Sequence, residues 1–233
     1  MNKKINKPPI FWQKAKKALS AKDKKLSKII ESYPSDFLFS KSDPFFTLAR
    51  SIVGQQISVK AAQSVWDRLE IKIKKIQPQI VLKTHSSTLK SVGLSRQKVK
   101  YLKNLANAFI EKKIKINLWN KMSDEEIVQD LIQIKGIGRW TVEMFMIFNL
   151  CRADIFPLDD IGMIKGLCKL YKISYPVERE KIIKIGKKWK PYRSVATWYL
   201  WRSLDPIPVE SVSYTHLRAH ETRHDLVCRL LLE

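Results

Sequence analysis

LIQIKGIGRWTVEMFMIF, residues 131–148, sets Gly136 and Gly138 on either side of Ile137 between two apolar runs of helical spacing. Upstream, MSDEEIVQDLIQI places Ser123 ahead of three acids, the arrangement that caps a helix and suits its N-terminal dipole, and predicts a helix running to Lys135. Downstream, RWTVEMFMIFNL predicts a second helix beginning directly after Gly138. Helix, glycine turn, helix is a physical device for holding a phosphate. Glycines let the backbone come close, and the first amides of the second helix present a partial positive charge. The same pattern also suits a tight turn without a ligand, or a hairpin that binds DNA and performs no chemistry. A carboxylate pair follows in FPLDD, residues 156–160, ahead of the helical run IGMIKGLCKLY.

Working outward, little in the chain alternates apolar and polar as a strand would, and helical spacing dominates. Residues 11–32 read as one basic amphipathic stretch. DPFFTLARSIVGQQIS opens a helix behind Ser42 and Asp43 with Pro44 in its first turn. ISVKAAQSVWDRLEIKI, VLKTHSSTLKSV and SRQKVKYLKNLANAFIEKK predict further helices. The fold class expected is all-α.

The chain has 233 residues, 45% hydrophobic, enough for a sizeable core. Against 22 acidic residues stand 44 Lys and Arg, a formal net charge of +22. Such a balance points to a polyanionic partner or to a lysine-rich solvated surface. Ten lysines and one acid fall in residues 1–30 and form a basic apron. No apolar run reaches the about 18 residues that a membrane span needs, and the lysine-rich start has no apolar signal core. A cytoplasmic, nucleoid-associated protein is expected. Cys151, Cys168 and Cys228 follow no metal spacing.

From residue 212 the character changes: VSYTHLRAHETRHDLVCRLLLE carries three of the four histidines and no lysine. It reads as a translated adapter, so its histidines are set aside as a metal cluster, and His85 alone remains. The native domain is therefore expected over residues 1–211, with 212–233 a non-native tail.

Together LARSIVGQQIS, LIQIKGIGRWTVEMFMIF, DIFPLDDIG and KWKPYRSVATWYLWR resemble, in that order, the helix-hairpin-helix DNA glycosylase superfamily with its Gly/Pro-Asp loop, over about residues 10–210. The nearest branch is that of DNA-3-methyladenine glycosylase II, in a short form without the N-terminal β-rich domain. The resemblance implies two helical subdomains around a DNA-binding cleft. It also implies a monomer acting on damaged double-stranded DNA by base flipping, removing alkylated purines without cutting the backbone, since Trp140 stands where strand-cutting relatives carry a lysine.

On this chain the resemblance makes Asp160 the essential carboxylate. Lys135, Gly136, Ile137, Gly138 and Arg139 become the phosphate grip, and Gln56, with Gln55 beside it, fills the place of the flipped base. Trp140, Met144 and Tyr192 line the base pocket. No cofactor is required and no iron-sulfur cluster is implied; a structural monovalent cation is expected at the carbonyls of Ile132, Ile134 and Ile137. From the residues alone, Asp160 reads equally as a helix N-cap, Trp140 and Tyr192 as core, and Arg139 as a phosphate contact or an acid's partner. Trp189, Trp198 and Trp201 recur at helical spacing and read as core. Arg193 reads as a structural ion-pair partner.

Chemically, departure of a base builds positive charge on the sugar, which a buried carboxylate stabilises. A base such as 3-methyladenine is already cationic, leaves without a dedicated acid and is held by aromatic faces. A glycosylase for another lesion, or a noncatalytic DNA-binding module, stays open as an alternative.

Overall fold

The computed structural model describes residues 7–40 and 43–204, and no strand occurs among them. The adapter-like tail, residues 212–233, lies outside the described residues. The helices are α1 (Trp12–Lys22), α2 (Lys24–Ser32), α3 (Pro44–Gly54), α4 (Val59–Ile73), α5 (Pro78–Lys83), α6 (Ser86–Ser91), α7 (Arg96–Ile110), α8 (Asp124–Ile132), α9 (Arg139–Phe148), α10 (Ile161–Tyr171), α11 (Arg179–Lys187) and α12 (Arg193–Leu204), with a 3-10 turn at Ile116–Leu118. They form two compact units. One holds the described residues up to 40 and from 146 onward; the other holds 43–145.

Helix boundaries differ in places from those expected, as three cases illustrate. The basic stretch 11–32 breaks at Asp23, whose extended backbone ends α1 and whose side chain caps α2 through the amides of Lys25 and Leu26. VLKTHSSTLKSV divides at the extended Thr84, and His85 caps α6 by accepting from the Ser87 amide. Helix α8 stops at Ile132, three residues short of Lys135. In each case a local side-chain or turn hydrogen bond competes successfully with the next helical one.

In the first unit, Asp23 is the one acid among the first thirty residues and is buried. Its Oδ2 accepts from the Trp189 indole at 2.9 Å, from the Lys188 ammonium at 2.9 Å and from the Tyr171 hydroxyl. Burial on its own would raise this carboxyl; the bonds from Tyr171, Lys188, Trp189 and the Leu26 amide outweigh it and hold the group at about 2. Burial, with the Asp23 bond, pushes the Tyr171 hydroxyl up. The network ties the start of α2 to the end of α10 and the residues after α11. Trp189 and Trp198 are core as expected, the latter edge-on to Trp12 at 5.3 Å.

Helices α10 and α12 meet at Gly166, where a Cβ would lie 2.8 Å from the Leu200 carbonyl oxygen. This close approach sets the register that brings Trp201 beside Asp160. In the second unit, Asp130 of α8 accepts from the Trp119 indole at 2.7 Å and the Lys115 amide at 2.9 Å, fastening the segment after α7.

Candidate DNA-binding and catalytic sites

Ser123 and Glu126 form a reciprocal capping box that starts α8, as its sequence predicts. At its far end the chain makes a tight turn in which the Ile137 amide donates to the Ile134 carbonyl at 2.9 Å. Gly136, third in this turn, has φ +109, the left-handed region that a type II turn demands there. It is also pressed by the Tyr101 ring of α7: a Cβ at 136 would stand 2.3 Å from the Tyr101 Cγ. Gly138 differs. A Cβ there would meet nothing within 4 Å, and its carbonyl accepts the Val142 amide at 3.1 Å, so it caps α9. Gly138 is exposed and carries no side chain, so the backbone where α9 opens is not obstructed there, and a helix N-terminus favours an anion.

The turn is braced from two directions. Asn104 of α7 donates to the Lys135 carbonyl at 3.3 Å. The Gln55 amide donates to the Gly136 carbonyl at 3.0 Å and to the Thr141 hydroxyl at 3.2 Å. Gln55 follows α3, and Gln56 beside it is exposed with φ 58, a left-handed conformation that a non-glycine side chain disfavours. Gln55, Gln56, Ser95, Gln97, Lys98, Tyr101, Gly136, Ile137 and Gly138 enclose a cavity of about 320 Å³ without an acidic residue. Lys98 donates to the Val53 carbonyl at 2.8 Å, and burial lowers its pKa.

Arg139 takes the second of its two readings: its guanidinium holds both carboxylate oxygens of Glu125, at 2.7 and 2.9 Å. The bonds from Arg139 and Gln129 hold the Glu125 carboxyl below its usual value. Lys135 is exposed, Ile137 buried. Trp140 is half-buried on α9 and Met144 buried, 6% exposed. Ile132 ends α8, and Ile134 and Ile137 open and close the turn that follows it, so their carbonyls are hard oxygen atoms of the kind a cation takes. Ile134 already accepts one amide there, and a carbonyl has a second lone pair.

In the other unit, Asp160 is 8% exposed and caps α10: its Oδ1 accepts the Met163 amide at 2.6 Å and the Trp201 indole N–H at 2.7 Å. Asp160 is thus a helix cap, and the cap fixes the direction of its carboxylate. Gly162 lies against this contact, its imagined Cβ 3.2 Å from both Asp160 Oδ1 and Trp201 Cδ1. Phe148 stacks on Trp201 with centroids 5.6 Å apart and planes at 19°. The loop that delivers Asp160 is fixed to the start of α12: Arg193 grips Asp154 with bonds of 2.8 Å to each carboxylate oxygen, and the Ser194 hydroxyl accepts the Ile155 amide at 2.8 Å. Arg193 is therefore a structural ion-pair partner, as expected. Asp159 is exposed and paired with Arg179 at 2.6 Å. Tyr192 is half-buried and stacks on Phe11, centroids 6.4 Å apart.

Trp201 corrects the reading of it as core, since its polar edge serves Asp160 from 41 residues away in the chain. Helical spacing shows which face a residue takes; it does not show that an indole meets a carboxylate of another element. Phe148 escaped notice for the same reason.

Residues 49–191 match the family described as the HhH-GPD superfamily base excision DNA repair protein. DNA-3-methyladenine glycosylase 1 of Schizosaccharomyces pombe is 32% identical over 184 residues, covering 77% of this chain and 81% of that protein. A solved structure of the 3-methyladenine DNA glycosylase of that yeast in complex with abasic DNA superposes with a TM-score of 0.74 at 31% identity, covering 87% of this chain and 100% of the other. A DNA-3-methyladenine glycosidase from Bacillus halodurans gives a TM-score of 0.70 at 31% identity, over 82% of this chain and 89% of its own.

Proposed function

The chain belongs to the HhH-GPD superfamily of base excision DNA repair proteins, and from that premise we infer how its residues carry the reaction. It is a DNA glycosylase of the 3-methyladenine type, a hydrolase that releases alkylated bases from DNA by breaking the N-glycosidic bond. Asp160 is the catalytic carboxylate. The observation that supports this is its double fixation by the α10 amide and the Trp201 indole, which keeps a buried negative charge pointed in one direction without reorganisation during the reaction. As the base departs, that charge stabilises the oxocarbenium-like sugar and orients the attacking water. No residue supplies a proton to a base that is already cationic.

Gly136 and Gly138 hold a backbone phosphate of damaged duplex DNA through main-chain amides, flanking Ile137, whose own amide closes the turn, with Lys135 adding charge; Arg139 supports the turn through Glu125. Gln56 enters the stack where the base has left. Trp140, Met144 and Tyr192 are the side chains assigned to the flipped base. A monovalent cation at the carbonyls of Ile132, Ile134 and Ile137 would stiffen the turn and takes no part in the chemistry. The protein acts as a monomer and leaves an abasic site with the strand intact. Among the described residues no helix is long and apolar enough to cross a membrane.

Incubation with methylated duplex DNA, followed by chromatography of released bases, tests this reading: 3-methyladenine should appear. Recovery of a borohydride-reduced protein–DNA adduct would overturn the assignment of a strand-sparing enzyme. The basic surface fits DNA also without chemistry; that reading requires binding with no base released.

A further inference from the structure

We propose that Gln55 is a positioning residue that couples phosphate capture at the hairpin to entry of Gln56 into the base stack, rather than a contact to DNA. The proposal rests on the reading above, in which the hairpin grips phosphate and Gln56 replaces the flipped base.

The side-chain amide of Gln55 is spent within the protein. Its Nε2 donates to the Gly136 carbonyl at 3.0 Å and to the Thr141 hydroxyl at 3.2 Å. Gly136 is the turn residue with positive φ, and Thr141, 2% exposed, lies in the first turn of α9. One amide therefore reaches both the turn before α9 and the first turn of the helix itself. Its own backbone is bonded directly to Gln56, which is exposed and has a left-handed φ of 58. A non-glycine residue keeps such a conformation only when its surroundings over-determine it, and the Gln55 anchor immediately before it is one such constraint.

Helix α7 supplies the common support. Tyr101 packs on Gly136 and Asn104 holds the Lys135 carbonyl, while Lys98, one turn earlier, holds the Val53 carbonyl at the end of α3. Hairpin and plug loop are thus fastened to one rigid helix and to each other, with the Gln55 amide as the direct link. A phosphate that draws the hairpin amides toward it displaces the Gly136 carbonyl and Thr141 together, and the Gln55 backbone with them. Gln56 is carried along, so the gap-filling side chain is set by the same contact that marks the damaged strand.

Coupling of this kind appears as non-additivity. The probe is a duplex carrying a tetrahydrofuran abasic-site analogue, and the readout is the dissociation constant of the full chain. Gly138→Ala perturbs the phosphate grip without an internal clash, and Gln56→Ala removes the plug. With Gln55 present, the double variant should depart from the product of the single effects by about fivefold. In a Gln55→Met background, similar in length but without the amide, the two effects should multiply. Thr141→Val, which removes one of the two acceptors, should give an intermediate departure and serves if Gln55→Met does not fold. A merely structural role would lower the melting temperature and leave the non-additivity unchanged. Multiplicative effects in the wild-type background, or the same departure without the amide, overturn the proposal. Equal affinity of the wild type for abasic and undamaged duplexes would instead remove the reading beneath it.

Discussion

The indole N–H of Trp201 donates to Oδ1 of Asp160 at 2.7 Å, joining α12 to the cap of α10. A hydrogen bond to a charged group contributes about 1.5–3 kcal/mol. Trp201→Phe keeps a ring against Phe148 and removes only the donor. We expect a fall in single-turnover rate of roughly 10- to 100-fold with DNA affinity nearly unchanged. An unchanged rate would show that the indole does no more than pack.

The two hairpin glycines should respond oppositely to the same methyl group. Gly136→Ala adds a Cβ 2.3 Å from the Tyr101 ring at a residue with φ +109, and should cost about 2–4 kcal/mol of stability. Gly138→Ala meets nothing within 4 Å, so the melting temperature should hold while affinity for duplex DNA falls. Thermal unfolding together with DNA titration distinguishes the two, and equal destabilisation would contradict the geometry.

Gln56 combines strain with exposure. Gln56→Gly relieves the left-handed backbone, worth about 1 kcal/mol, and partly offsets that gain with chain entropy. Stability should therefore stay level or rise, whereas affinity for an abasic-site duplex should drop several-fold. A stability loss accompanied by full affinity would place the plug elsewhere.

Asp23 gives the fold an acid limit. Its folded pKa of about 2 lies below the ordinary aspartate value of 3.8, so its contribution is present above about pH 4 and is lost as pH falls toward 2. The effect is on the order of 2 kcal/mol. Asp23→Asn should lower stability at neutral pH and flatten the decline between pH 4 and 2 in urea-unfolding curves. An unchanged decline would assign acid sensitivity to other carboxylates.

What the sequence disclosed follows from the range of each signal. The hairpin was legible because its caps, acids and glycines all lie within about twenty residues and act locally; Ser123, Glu126 and Gly136 take the roles their positions imply. Asp160 was legible as a cap, and it caps α10. Trp201, Phe148 and the Asp23 network were not, because their partners are set by helix packing such as the Gly166–Leu200 approach. Arg139 stood undecided in the sequence because one guanidinium suits phosphate and carboxylate alike; in the structure it pairs with Glu125 one helix earlier. The break at Asp23 was hidden by lysines that would have continued one helix.

The most direct test of the account is the single-turnover rate of base release from methylated duplex DNA by the wild type and by Asp160→Asn, measured beside the affinity of each for an abasic-site duplex. Loss of a pre-aimed charge should slow release by at least about 100-fold while binding persists. Release of 3-methyladenine by the variant at the wild-type rate would contradict the assignment of Asp160 as the catalytic carboxylate.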